Sequence, residues 1–152
     1  MDDTLRRVVV PTAVGPVVAH VGRRTGAAVA TVLLHGAAGS WTTWMPLLAA
    51  SDRRHAPLTD VVAVDLPGWG ESPGPVRRAD ETADAVAAVV RALGYPRWRV
   101  VGHSLGAVVA LDIAARHRRQ TLAVGLVSPT GSAVRAVARN PVRGAVRLPA
   151  FA

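Results

Sequence analysis

The chain contains no cysteine, which excludes disulfides, thiolate metal sites and a thiol nucleophile together. It contains no lysine either: all 18 basic residues are arginine, a pattern that reflects codon bias in a GC-rich genome more than selection for a basic surface. Acidic residues are missing from one end. Residues 1–112 carry eleven Arg against all ten Asp and Glu, whereas the last forty carry seven Arg and no acid. A net charge of +8 distributed in this way is not the footprint of a nucleic-acid binder, which pairs a basic face with aromatic or groove-reading elements. Here only Phe151 lies in the basic stretch. Long apolar runs are absent too: the run at 105–115 is cut by Asp112 and that at 27–34 ends in His35, so neither spans a membrane. The opening MDDTLRRVVV has no apolar h-region of a secretory signal. These absences predict a cytoplasmic protein without nucleic-acid or membrane partners, and they leave its oligomeric state open.

What is present is globular material. Half of the 152 residues are apolar and 18% are charged, enough for one domain with a real core. Three early apolar segments, Leu5–Val10, Val17–Val21 and Val29–Leu34, read as strands. Turn signals at Pro11, Gly15-Pro16 and Gly22–Gly26 separate them, and the first two suggest a hairpin or meander. The third is a continuous apolar run, as in a strand covered on both faces. After it come HGAAGSW and a helix candidate with Trp41, Trp44 and Leu48 at helical spacing. Asp60–Asp65 is the next buried strand, followed by the turn-rich LPGWGESPG. From Asp80 the period changes: Val86, Val89, Val90 and Leu93 fall on one helical face, with Asp80 and Glu81 at its start and Gly94 and Pro96 beyond its end. Arg97–Gly102 reads as a strand, 104–117 as a helix apolar on most faces, and Leu122–Val127 as a further strand. This alternation predicts an α/β fold with an open, mostly parallel sheet and helices on both faces. Functional residues of such sheets sit just after the strands.

The pattern G-x-S-x-G occurs twice, as Gly70–Gly74 (GESPG) and Gly102–Gly106 (GHSLG). A nucleophile elbow needs a strand entering, a helix leaving, and a backbone N–H on the residue after the serine to donate to an oxyanion. Ser72 fails, because Pro73 has no N–H to give and no helix begins there. Ser104 meets each requirement: the strand RWRVVG leads in, LGAVVALDIAA leads out, and Leu105 carries an N–H. Gly102 and Gly106 remove the Cβ atoms that would clash in so tight a turn, and the helix N-terminus directs partial positive charge toward developing negative charge. A serine that merely caps a helix does not need glycines on both sides. A second donor is expected from the loop after the third strand, where His35-Gly36-Ala37-Ala38-Gly39 lies; Ala37, following the His-Gly pair, is the candidate.

With these motifs in order, the sequence resembles the α/β-hydrolase fold family, especially the branch carrying HG-x-x-G-S, D-x-P-G-x-G-x-S and G-x-S-x-G. Here these are His35–Ser40, Asp65–Ser72 and Gly102–Gly106, and the resemblance covers nearly all of residues 5–130. It implies Ser104 as nucleophile and Ala37 and Leu105 as oxyanion donors, with His35, Gly36, Gly102 and Gly106 supporting the motifs. It gives Asp65, Gly68 and Gly70 a turn-shaping role. A serine at the elbow favours hydrolysis of an ester, thioester, amide or C–C bond of a small apolar substrate over the branches that use an aspartate, the dehalogenases and epoxide hydrolases. No cofactor or metal is implied.

A serine needs a base oriented by an acid, and in this fold both follow it in the chain. After Ser104 the sequence offers only Asp112 and His117, both on the next helix. His117, among Arg116, Arg118 and Arg119, is better explained by the helix dipole. His103 is expected to project away from Ser104, His35 to pack within its loop, and His20 and His55 carry no motif. The resemblance implies that Leu122–Val127 is the family's sixth strand and that acid and base lie on loops after two further strands. The chain therefore looks like the first half to two-thirds of a serine hydrolase, inactive by itself, with Leu122–Val127 as an unprotected apolar edge. Residues 1–130 would be its core and 131–152, with Arg135, Arg139, Arg143 and Arg147 four apart and a helix-start signal at Asn140-Pro141, the beginning of a cap or linker. A basic amphipathic segment is the alternative there. For the whole, a non-catalytic small-ligand binding protein or an acyltransferase on the same fold are the alternatives.

Overall fold

In the computed structural model, which describes residues 5–131, the first two apolar segments pair as an antiparallel hairpin of β1 (Arg6–Thr12) and β2 (Gly15–Gly22). Both strands run past the prolines expected to end them, and Pro11 faces Pro16 in the ladder. A strand on the sheet edge tolerates a residue with no N–H. The turn shrinks to Ala13-Val14, closed by the Thr12 hydroxyl, which donates to the Gly15 carbonyl (2.7 Å) and accepts from the Val14 N–H (3.2 Å).

Four further strands, β3 (Val29–Leu34), β4 (Val61–Val64), β5 (Arg97–His103) and β6 (Thr121–Val127), complete one sheet in the order β1-β2-β4-β3-β5-β6. From β4 to β6 all pairs are parallel. A 3-10 turn (Trp41–Trp44) leads into α1 (Met45–Arg53), and α2 (Ala79–Ala92) and α3 (Leu105–Arg116) make the later crossovers. β4 is one residue shorter at each end than the expected Asp60–Asp65, although both aspartates keep a backbone bond to a neighbouring strand: the Asp60 carbonyl accepts from Thr31 (2.9 Å) and the Asp65 N–H donates to Val18 (3.0 Å). Asp60, at φ +51°, turns its carboxylate to the Thr25 N–H and hydroxyl and to the Tyr95 hydroxyl.

Period-two alternation divides the sheet between two cores. Val32, Leu34, Val62, Val64 and Val100 face α2 and α3, meeting Val86, Val89, Val109 and Ile113. Leu33, Val61 and Ala63 face the other way, onto Trp44 and Leu48. The two-faced, mostly parallel sheet is therefore as the sequence predicts.

At its far end α3 is bound to α2. The Asp84 carboxylate accepts from Arg116 and from His117 Nε2 (2.9 Å), and Arg91 donates to His117 Nδ1 (3.0 Å). His117 thus has specific partners beyond the helix end, and the hydrogen bond from Arg116 holds the Asp84 carboxyl below its ordinary range. Asp112 is half-buried on α3 with no hydrogen-bond partner among the described residues, and burial pushes its carboxyl up. β6 pairs on one side only among the described residues, leaving Leu122 47% and Val127 36% exposed. The arginines at 135, 139, 143 and 147, the Asn140-Pro141 signal and the cap expected over 131–152 lie outside the described residues, Gly131 excepted. Among those described, no helix is long and apolar enough to cross a membrane.

Candidate active site

β3 and β5 run side by side with Leu34 opposite Gly102, so the segments that leave them, 35–39 and 103–106, emerge together. Ser104 stands between β5 and α3 at φ +52°, ψ −112°, outside the regions that an L side chain prefers. Such a conformation costs about 1–3 kcal/mol and persists only where the surroundings enforce it. They do so here through backbone: the Ser104 N–H donates to the Val127 carbonyl (3.1 Å) and its carbonyl accepts from Ala107 (3.1 Å). A Cβ on Gly102 would strike the carbonyl of Gly106, and one on Gly106 would strike that of Leu34 and stand 2.5 Å from that of His35. The two glycines mark where strand exit, helix entry and the end of β3 touch backbone to backbone.

The 35–39 loop rests on this bend. A Cβ on Gly36 would lie 3.2 Å from Ser104 Cβ and 2.9 Å from His103 Nδ1. Gly39 donates to the Gly36 carbonyl (3.1 Å), closing a turn with Ala38 at φ +58°. Among the described residues, nothing accepts from the N–H of Ala37 or of Leu105, the first residue of α3.

His35 is fully buried and both ring nitrogens are engaged. Nε2 accepts from the Leu66 N–H (3.0 Å), so the proton is on Nδ1, which donates to the Gly36 carbonyl (2.6 Å). Burial pushes this imidazole below its ordinary 6.5, against the opposing pull of the Gly36 carbonyl and Asp65. His35 is a brace for the loop. His103 lies nearer the bend than strand alternation predicts, since it packs on Gly36 as Ser104 does, with Nδ1 buried and without a partner. Among the described residues no histidine hydrogen-bonds to Ser104.

Asp65 is the hub behind the loop. One carboxylate oxygen accepts from the Trp41 N–H (2.7 Å) and the other from the Glu71 N–H (2.9 Å). Gly70, at φ +55°, leaves room for that carboxylate, whose Cγ would be 2.5 Å from a Cβ there. Ser72 is buried, donating to the Asp65 carbonyl (2.6 Å) and accepting from the Val18 N–H (2.8 Å), so the second G-x-S-x-G serine is a structural tie. His20 lies in no sequence motif. It is buried, stacks on Trp41 at 4.2 Å, and leaves Nδ1 without a partner; its sequence signal was a histidine amid the buried valines of β2. Ligand atoms of His20, Asp65 and Glu71 come within 4.8 Å of one another. Both Asp65 oxygens already serve backbone N–H groups and Arg7 holds Glu71 (2.9 Å), so the trio fits a loop-tying role better than a metal.

Beside the bend, Leu105 and Val109 form one wall of a cleft of about 60 Å³ whose other walls include Leu66, Trp69, Val76 and Arg77.

A pH dependence follows from the two buried rings. Burial lowers the proton affinity of His20 as well as His35. The unfolded chain therefore binds more protons below about pH 6.5, and stability rises with pH wherever that is so. Stability is full above the unfolded value and falls as the pH drops through it. The melting temperature should hold from pH 8 to 7 and decline steadily from 6.5 to 5. A curve that stays flat to pH 5 would show that both rings accept protons freely in the folded protein.

Comparison with known proteins bears on the family and the fold. Residues 31–152 match the model of a family described as alpha/beta hydrolase. Over 105 residues the chain is 33% identical to the dihydrolipoyllysine-residue acetyltransferase component of the acetoin cleaving system of Pseudomonas putida, covering 66% of this chain and 26% of that protein. Over 91 residues it is 34% identical to epoxide hydrolase 3 of Xenopus tropicalis, covering 57% of this chain and 24% of the other. The crystal structure of a membrane phospholipase A, a bacterial virulence factor, superposes with a TM-score of 0.73 at 27% identity, covering 85% of this chain and 41% of that one. The chain thus spans about a quarter of the length of these curated relatives.

Proposed function

This chain belongs to the alpha/beta hydrolase family, and from that premise we propose that Ser104 is the nucleophile of a serine hydrolase working through an acyl-enzyme. The observation that carries the reading is the strained Ser104 with Gly36 packed against its Cβ and two unclaimed amides, those of Ala37 and Leu105, in the flanking residues. Ser104 Oγ, losing its proton to a base, bonds to the carbonyl carbon of an ester, thioester or amide. The carbonyl oxygen takes the negative charge, and the Ala37 and Leu105 amides receive it; the bond to the leaving group breaks as that group regains a proton. Water then repeats the sequence and frees Ser104. The chain's five histidines include none that we assign as the base: His35 is committed on both nitrogens and His117 is held at the far end of α3. Base and acid belong, in this proposal, to a segment outside residues 5–131.

A serine at the bend separates this proposal from the aspartate chemistry of the epoxide-opening branch, despite the relative of that name. A second reading, acyl transfer to an acceptor other than water, draws support from the relative named as an acetyltransferase component. It shares the acyl-enzyme and differs in whether an added thiol or alcohol captures the acyl group. A fluorophosphonate probe on the full-length protein tests both: it should label Ser104 covalently and in a time-dependent manner. Labelling elsewhere, or none, removes the nucleophile and leaves a ligand-binding role for the fold.

A further inference from the structure

Among the described residues, Arg77 is the one charged residue in the wall of the cleft beside Leu105, with apolar neighbours such as Leu66, Trp69, Val76 and Val109. Among the described residues its Nε is buried and makes no hydrogen bond, and no carboxylate pairs with it. The contrast with its neighbour is direct: Arg78 projects into solvent and is paired with Asp80 at 2.8 Å.

A buried donor without an acceptor is costly, and a guanidinium presents a planar fork that matches a carboxylate through two parallel hydrogen bonds. The cleft, at about 60 Å³, has room for more than one water-sized group, and so for a carboxylate. It also adjoins the residue whose amide is assigned to the oxyanion.

We propose that Arg77 is a specificity-determining residue that binds an anionic end of the substrate, so that the preferred substrates are monoesters or monothioesters of dicarboxylic acids with an apolar spacer. This rests on the acyl-transfer reading given above and names the substrate class for the same site. Reaction of such a monoester yields an alcohol and a dicarboxylate, the distant carboxylate unchanged throughout.

The test compares p-nitrophenyl hydrogen adipate with p-nitrophenyl hexanoate, esters of equal chain length differing in one charge, on the full-length protein. Wild type should favour the adipate ester in kcat/KM, and Arg77→Met should lower the adipate-to-hexanoate ratio by about tenfold to a hundredfold, the range for a lost charged hydrogen-bonded contact. Arg77→Lys should recover part of the ratio, since it keeps the charge but not the fork. A substitution that slows both esters alike, leaving the ratio as in wild type, overturns the assignment. If neither ester reacts, the acyl-transfer reading fails, and Arg77 is then judged by binding alone. Adipate should raise the melting temperature of the wild type and not of Arg77→Met. An equal shift in both, or none in either, refutes the anion site.

Discussion

Replacing Ser104 with alanine in the full-length protein is expected to lower kcat on an activated ester by about 10⁴- to 10⁶-fold, the range reported for removal of a triad nucleophile. Residual turnover would come from binding and the oxyanion amides. Stability gives an independent readout of the same position. Alanine keeps a Cβ at φ +52°, so the strain stays. Glycine removes it, and Ser104→Gly should raise the unfolding free energy by about 1–2 kcal/mol while being as inactive as Ser104→Ala. Paired measurements of ester turnover and denaturant unfolding decide the matter. An active Ser104→Ala protein rules out the nucleophile, and a Ser104→Gly protein no more stable than Ser104→Ala rules out the strain.

The second large effect lies two residues earlier. Gly102→Ala should destabilise the protein by more than about 3 kcal/mol, because the added methyl meets the Gly106 carbonyl, and backbone cannot rotate aside as a side chain does. That is a substantial part of the 5–15 kcal/mol that usually separates folded from unfolded. Gly74→Ala is the control: its glycine has φ +88° but nothing within 4 Å of an added Cβ. It should lose only about 1 kcal/mol, the conformational term alone. Chemical denaturation of both variants separates collision from dihedral preference. Equal losses would mean that the strand–helix junction is looser than the backbone contacts around Gly102 and Gly106 indicate.

The strand–helix alternation and the bend at Ser104 were legible because each has a local cause. Continuous apolar runs in β3 and β4, period 3.6 in α2, and glycines at i−2 and i+2 of the serine are constraints that neighbouring residues express. Pro73 after Ser72 worked the same way, and the buried ties of Ser72 to Asp65 and Val18 explain what that serine does instead. What escaped depends on distant partners. Nothing near His20 in sequence signals its stack on Trp41, and nothing near His117 signals Asp84, 33 positions earlier. Pro11 and Pro16 read as breakers, yet an edge hairpin accommodates them because its register leaves their missing N–H groups without consequence. Arg77 looked like one of many arginines until the fold set it against Leu105. Whether a cation is solvated or enclosed is decided by tertiary packing, which composition does not record.

The loop over residues 65–72 is fastened by polar side chains, mostly onto main-chain atoms: the Asp65 carboxylate grips two amides, the Ser72 hydroxyl joins a carbonyl to a third, and Arg7 holds Glu71. The side chains that this loop turns toward the cleft, Leu66, Pro67 and Trp69, make none of those hydrogen bonds, although Leu66 is fully buried in the core and Trp69 packs against it. Scaffold and lining are thus joined by packing and not by hydrogen bonds. A change at Pro67 can therefore alter the lining while the polar anchorage that keeps the neighbouring bend in place stays whole, whereas a change at Leu66 or Trp69 also repacks the core.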